Sequence, residues 1–185
     1  MNWQAMPYNF QMPSCDMMPI QTSTTGMPGT TMPNINMPIT PVPIASADLQ
    51  MALELIKEAL AGETEDRLFY EYLISTAPSN EDKNIIQGIR DNEIKHFGMF
   101  RQLYKDLTGQ MPPSVTQEEF TKPSSYCEGL KMAIMGEQSA VEKYRKILFV
   151  LTDRNQINKM VEIITDELRH GILYNYLYSK NKCTK

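Results

Sequence analysis

The sequence predicts an all-α fold: a four-helix bundle built from two helical hairpins with a long crossover, preceded by a disordered Met/Pro-rich arm. Three observations carry that prediction. Composition changes abruptly near residue 45, amphipathic helical periodicity fills most of the remaining chain, and the second half of that region repeats the first at a shift of 74 residues. The chain therefore divides into an arm, 1–45, and a bundle, 46–185, within a total of 185 residues.

The arm holds eight of the 14 methionines and eight of the 12 prolines, with Asp16 as its one charged residue. Six Met-Pro pairs recur irregularly, and proline at that density removes amide donors and restricts its neighbours, which opposes helix and sheet alike. A flexible tail, a soft-metal thioether site, an oxidisable methionine sink and a docking arm all fit such a segment.

From Ser46 onward proline nearly disappears, and amphipathic helices are predicted over about 47–76, 80–108, 125–151 and 154–180. Ser79 with Asp82, Ser125 with Glu128, and Asp153 with Gln156 supply N-caps with reciprocal partners. Turn residues separate the helices of each pair, at Ala77-Pro78-Ser79-Asn80 and at Thr152-Asp153-Arg154-Asn155. The connector from Gly109 to Ser124 contains Met111-Pro112-Pro113. Its roughly 16 residues reach about 50 Å if extended, whereas a 28-residue helix is about 42 Å long. The connector can therefore run the length of the bundle.

The 74-residue shift places Ile56 to Glu63 over Leu130 to Glu137, Tyr70 over Tyr144, and the cap Ser79 over the cap Asp153. It also places Glu93 over Glu167, His96 over His170 and Tyr104 over Tyr178, with no gap. Each half is one hairpin, and the bundle is a pseudo-twofold pair.

Only two histidines occur, and each closes a Glu-x-x-His motif: Glu93 with His96, and Glu167 with His170. Residues three apart on a helix share a face, so each motif points a carboxylate and an imidazole the same way. Glu63 lies 16 residues before the cap Ser79 and Glu93 lies 14 after it, and Glu137 and Glu167 repeat this about Asp153. At 1.5 Å per residue, all four glutamates reach one level, about 21–24 Å from the hairpin end. Four carboxylates in an apolar interior are unfavourable alone, but two divalent cations offset them. Carboxylate and imidazole donors suit iron or manganese, ligand type alone also admits copper and zinc, and six ligands divide evenly between two ions. The ligand set is Glu63, Glu93, His96, Glu137, Glu167 and His170. Tyr70 and Tyr144, seven residues after Glu63 and Glu137, fit equally as packed tyrosines, as hydrogen-bond donors to a ligand, or as redox-active groups. Asp91 and Asp166 are each candidates to orient an imidazole.

Gly62-Glu63 with Tyr70, Glu93 with His96, Gly136-Glu137 with Tyr144, and Asp166-Glu167 with His170 resemble the rubrerythrin-like branch of the ferritin-like superfamily. The resemblance covers about residues 46–180. It implies a two-iron centre (or two manganese ions), with Glu93 and Glu167 bridging, Glu63 and Glu137 terminal, and one histidine on each metal. The chain departs from rubrerythrins proper in having no paired CxxC motifs of a rubredoxin domain. It also has Ala140 where they carry an extra glutamate, and it stops short of the fifth helix of storage ferritins.

The resemblance implies an oxidoreductase, peroxidase or catalase in type, that acts on hydrogen peroxide or dioxygen in oxidative-stress defence. A peroxidase lacking a rubredoxin domain needs a separate electron-donor protein, and relatives commonly form homodimers. Two other readings use the same residues: ferrous iron oxidation and handling, and a structural role in a spore-layer type of assembly, which the arm favours. A net charge of −4 and a pI near 5.3 argue against a nucleic-acid partner. No apolar run is long enough to span a membrane, and no basic stretch precedes an apolar one as in a secretory signal. Three scattered cysteines, Cys15, Cys127 and Cys183, suit a reducing cytoplasm. A spore-associated location is the alternative.

Overall fold

The computed structural model describes residues 46–61, 63–114 and 120–183, and the side chains of residues 46 and 63–65 are outside that description. The predicted arm, 1–45, also lies outside the described residues. The described part is all helical: α1 (Ser46–Ala61), α2 (Glu63–Thr76), α3 (Asn80–Thr108), α4 (Tyr126–Leu148) and α5 (Arg154–Lys180). The all-α, ferritin-like prediction is borne out, with one adjustment to a helix boundary: the third helix ends at Leu148 rather than near 151. The first predicted helix is described as α1 and α2 because residue 62 lies outside the described residues.

All three expected caps form. Ser79 and Ser125 accept from the amides of Asp82 and Glu128, and Asp153 accepts from those of Asn155 and Gln156. Each satisfies amides that the first helical turn leaves without partners. At the far end of α3, Gly109 adopts a left-handed conformation (φ 74°) and returns its amide to the Lys105 carbonyl, which stops the helix.

Within the bundle α4 packs most extensively on α5, α2 pairs with α3, α1 lies against α3 and α4, and α3 also meets α5. Gly129 permits one close approach, since a Cβ there would stand 2.7 Å from Leu73 Cδ2. The apolar interior forms two clusters. One joins Ile56 and Leu60 of α1 to Phe100 and Leu103 of α3, Ile147 of α4, and Met160 and Ile163 of α5. The other joins Leu73 of α2 to Ile86 and Ile89 of α3, Leu130 of α4, and Tyr174 and Leu177 of α5. Along every long helix the proposed ligands fall in the sequence gap between these clusters. The polar residues thus form a layer with apolar material on both sides.

One feature escaped the sequence reading. Cys127, at the start of α4, is disulfide-bonded to Cys183, just beyond α5, across a separation of 56 residues. The pairing depends on helix ends meeting in space, which scattered spacing does not reveal, and it removes the thiol count as an argument for a reducing compartment. Among the described residues no helix is long and apolar enough to cross a membrane.

Candidate metal centre

Three helices bring the described candidates together. α3 supplies Glu93 and His96, α5 supplies Glu167 and His170, and α4 supplies Glu137. His96, Glu137, Glu167 and His170 are buried, while the Glu93 side chain is 24% exposed. Glu63 opens α2, but its side chain lies outside the described residues. Glu93, Glu137, Glu167 and His170 each offer an atom within 4.8 Å of all the others.

Both imidazoles turn Nδ1 toward the same two carboxylates. His96 Nδ1 lies 3.4 Å from Glu93 Oε2 and 3.2 Å from Glu167 Oε1. His170 Nδ1 lies 2.9 Å from Glu93 Oε1 and 3.7 Å from Glu167 Oε2. Each of these carboxylates thus presents one oxygen to each histidine. Glu137 stands on the His170 side only, with Oε2 at 3.8 Å from Nδ1. The imidazole rings face each other with centroids 5.9 Å apart.

Short as these distances are, Glu93 Oε1, His96 Nδ1, Glu167 Oε1 and His170 Nδ1 are buried without any properly angled hydrogen bond among the described residues. Donor atoms that approach closely but point past one another have the geometry of lone pairs converging on a cation. The electrostatics agree. Burial opposes charge on both histidines, but the facing carboxylates of Glu167 and Glu93 lift His96 to about 10. The carboxylates of Glu137, Glu167 and Glu93 lift His170 to about 11 in the same way. Burial also pushes Glu137 up to about 9, with the charges of Glu167 and Glu93 adding to it. Without metal the layer must hold protons to settle its charge, and divalent cations can take their place.

Around this cluster the two halves differ. His96 Nε2 lies 3.1 Å from Asp166 Oδ2, and Arg169 donates at 2.8 Å to the other oxygen of Asp166. The repeat counterpart of Asp166 is Asn92, which accepts from Arg169 at 3.0 Å. His170 Nε2 has no partner among the described residues. Asp166 is therefore the carboxylate that orients an imidazole, whereas Asp91 is bonded to Arg90.

Tyr70 and Tyr144 both reach the layer. Each is held well above the usual phenol range by burial and then by neighbouring charged groups, so each stays a protonated donor. Tyr144 also packs on Phe100, with centroids 4.9 Å apart. A third tyrosine, Tyr174, is wholly buried beside them and was missed in the sequence. The available signal was its position one turn after His170, on the same helical face. Two cavities reach the cluster. One of about 270 Å³ is lined by Glu137, Glu167 and Tyr174, and one of about 300 Å³ by His96 and Phe100; Tyr70, Glu93 and Tyr144 border both.

Fold and cluster together define a class: a ferritin-like bundle with a carboxylate and histidine cluster between two apolar layers. Residues 54–126 match the family model described as Rubrerythrin, which bears out the resemblance to that branch of the superfamily. That stretch contains Glu63, Glu93 and His96. A curated relative, the uncharacterized protein YhjR of Bacillus subtilis (strain 168), is 26% identical over 137 residues, 74% of this chain and 92% of YhjR. No solved structure matches.

Proposed function

We propose that the chain is a dinuclear non-haem iron oxidoreductase, with manganese as the alternative metal, that acts on hydrogen peroxide or dioxygen. The observation supporting this most directly is that both histidine Nδ1 atoms face both Glu93 and Glu167. That is the arrangement needed for two carboxylates to serve two cations. In this reading Glu93 and Glu167 hold both ions, His96 and Glu63 complete one, and His170 and Glu137 complete the other. Four carboxylate charges then balance two divalent cations, and neutral imidazoles add none. When bound, the pair of ions supplies electrons and Lewis acidity for cleaving an O–O bond.

The chain's own residues set the conditions for that chemistry. Asp166 accepts from His96 Nε2–H, which fixes the tautomer that leaves Nδ1 free as a donor. The apolar clusters above and below cover the layer along the bundle, leaving the two cavities as its approaches. A peroxidase cycle requires a separate electron-donor protein, whereas a catalase cycle does not.

Elemental analysis of the purified chain is the first test. About two iron or manganese ions per chain are expected in the wild type, and less than half of that in Glu93→Ala. Fewer than half an equivalent in iron-loaded wild type would sink the dinuclear reading. Rapid peroxide loss with oxygen release would identify a catalase, and donor-dependent loss without oxygen a peroxidase. Iron uptake with no peroxide turnover would move the assignment to iron handling.

A further inference from the structure

The repeat relates the two halves of the centre closely enough that its violations stand out. Tyr174, one turn after His170, corresponds to Phe100, one turn after His96. Both are buried aromatics of similar shape, and each lines the cavity of its own half: Tyr174 the one beside Glu137, Phe100 the one beside His96. What differs is a single hydroxyl.

That hydroxyl is costly where it stands. Tyr174 is 0% exposed, and its oxygen has no hydrogen-bond partner among the described residues. Tyr70 lies near enough to influence it, yet no well-aligned hydrogen bond joins them. A buried hydroxyl without an acceptor is unfavourable relative to one that is satisfied. Phenylalanine fills the equivalent place without that cost. The cavity it borders, about 270 Å³, has room for a molecule of two or three heavy atoms, since one water occupies about 30 Å³ in the liquid. Glu137 and Glu167 border the same cavity.

We propose that the Tyr174 hydroxyl is the hydrogen-bond donor to a small oxygen or nitrogen anion that enters the His170 half of the centre through this cavity. The other half has Phe100 at the equivalent position and so lacks this particular hydroxyl. The inference rests on the dinuclear reading and deepens it. It gives the centre a binding side, and it makes the ligand small, anionic and in need of one hydrogen bond.

Azide is a suitable probe. The full chain, loaded with ferric iron, is titrated with azide by optical absorption, and the azide stretch is recorded by infrared in H₂O and D₂O. Wild type is expected to hold two irons and to show a band that shifts in D₂O. Tyr174→Phe is expected to keep both irons, to melt no lower than wild type, to bind azide about tenfold or more weakly, and to lose the D₂O shift. A simple packing role for Tyr174 would not remove the isotope shift. A wild type that fails to take two metals overturns the dinuclear reading, and the inference falls with it. Two irons together with unchanged azide affinity in Tyr174→Phe, or a wild-type band indifferent to D₂O, overturns the inference alone. The wild-type isotope measurement stands even if the variant does not fold.

Discussion

His96 and His170 occupy equivalent places in a repeated sequence, yet among the described residues only His96 has a carboxylate behind it, at Nε2. Burial works against ionised Asp166, but its bond to His96 and the charge of Arg169 outweigh it and hold the group below its ordinary value. Asp166 therefore remains an anion that draws the His96 Nε2 proton and makes Nδ1 the stronger donor. Asp166→Asn is expected to weaken metal binding about 10–100-fold at the His96 half and to leave the other half nearly unchanged. Competition with a graded series of chelators checks this, and uniform loss at both sites would count against it. The meeting of Glu93, His96, Glu137, Glu167 and His170 in one candidate cluster was legible in the sequence because three-residue spacing and a repeat fix which side chains share a face and a level. The partners around that cluster were not. Whether Asp91 or Asp166 meets an imidazole depends on how α3 and α5 are rotated against each other, which spacing alone leaves open.

Where α3 begins, α4 begins and α5 ends, a polar junction forms around Asp82, which is wholly buried. Its carboxylate is bonded to Ser79 of the α3 cap, to Tyr126 of α4 at 3.2 Å, and to Lys180 and Asn181 at 2.5 and 2.6 Å. Burial alone would raise its pKa, but the bonds to Lys180, Ser79 and Asn181 prevail and lower it to about 2. A carboxylate whose folded pKa lies below its unfolded value adds stability that is complete above the unfolded value. That contribution is lost as pH falls through the folded one, so Asp82 stabilises at neutral pH and ceases to do so between about pH 4 and 2. Asp82→Asn is expected to cost about 2–4 kcal/mol at pH 7, with the difference from wild type shrinking across that acidic window. Urea melts at several pH values measure both; a pH-independent difference would contradict the assignment. The cap role of Ser79 and its reciprocity with Asp82 were legible, because capping is a local rule. The contribution of Lys180 and Asn181, about 100 positions away in the chain, was not.

At the scale of the whole molecule, the two hairpins and the level of the polar layer come from periodicity, caps and the repeat, and the described helices agree with them. The Cys127–Cys183 bond was outside the reach of those rules. In the chain-entropy account, closing a loop of this length stabilises by about 4 kcal/mol. Reduction, or Cys183→Ser, is expected to lower stability by that amount, as read from guanidinium melts with and without reductant, and reductant should have no further effect on Cys183→Ser. The bond also has a mechanical consequence. Residues 127–183 form a covalent ring that carries Glu137, Glu167 and His170, whereas Glu93 and His96 lie outside it. A pull on the two chain ends passes through the sulfur bridge and cannot unspool the enclosed segment. Under tension the centre would therefore part along a fixed seam, with one half drawn away on α3 and the other kept within its loop.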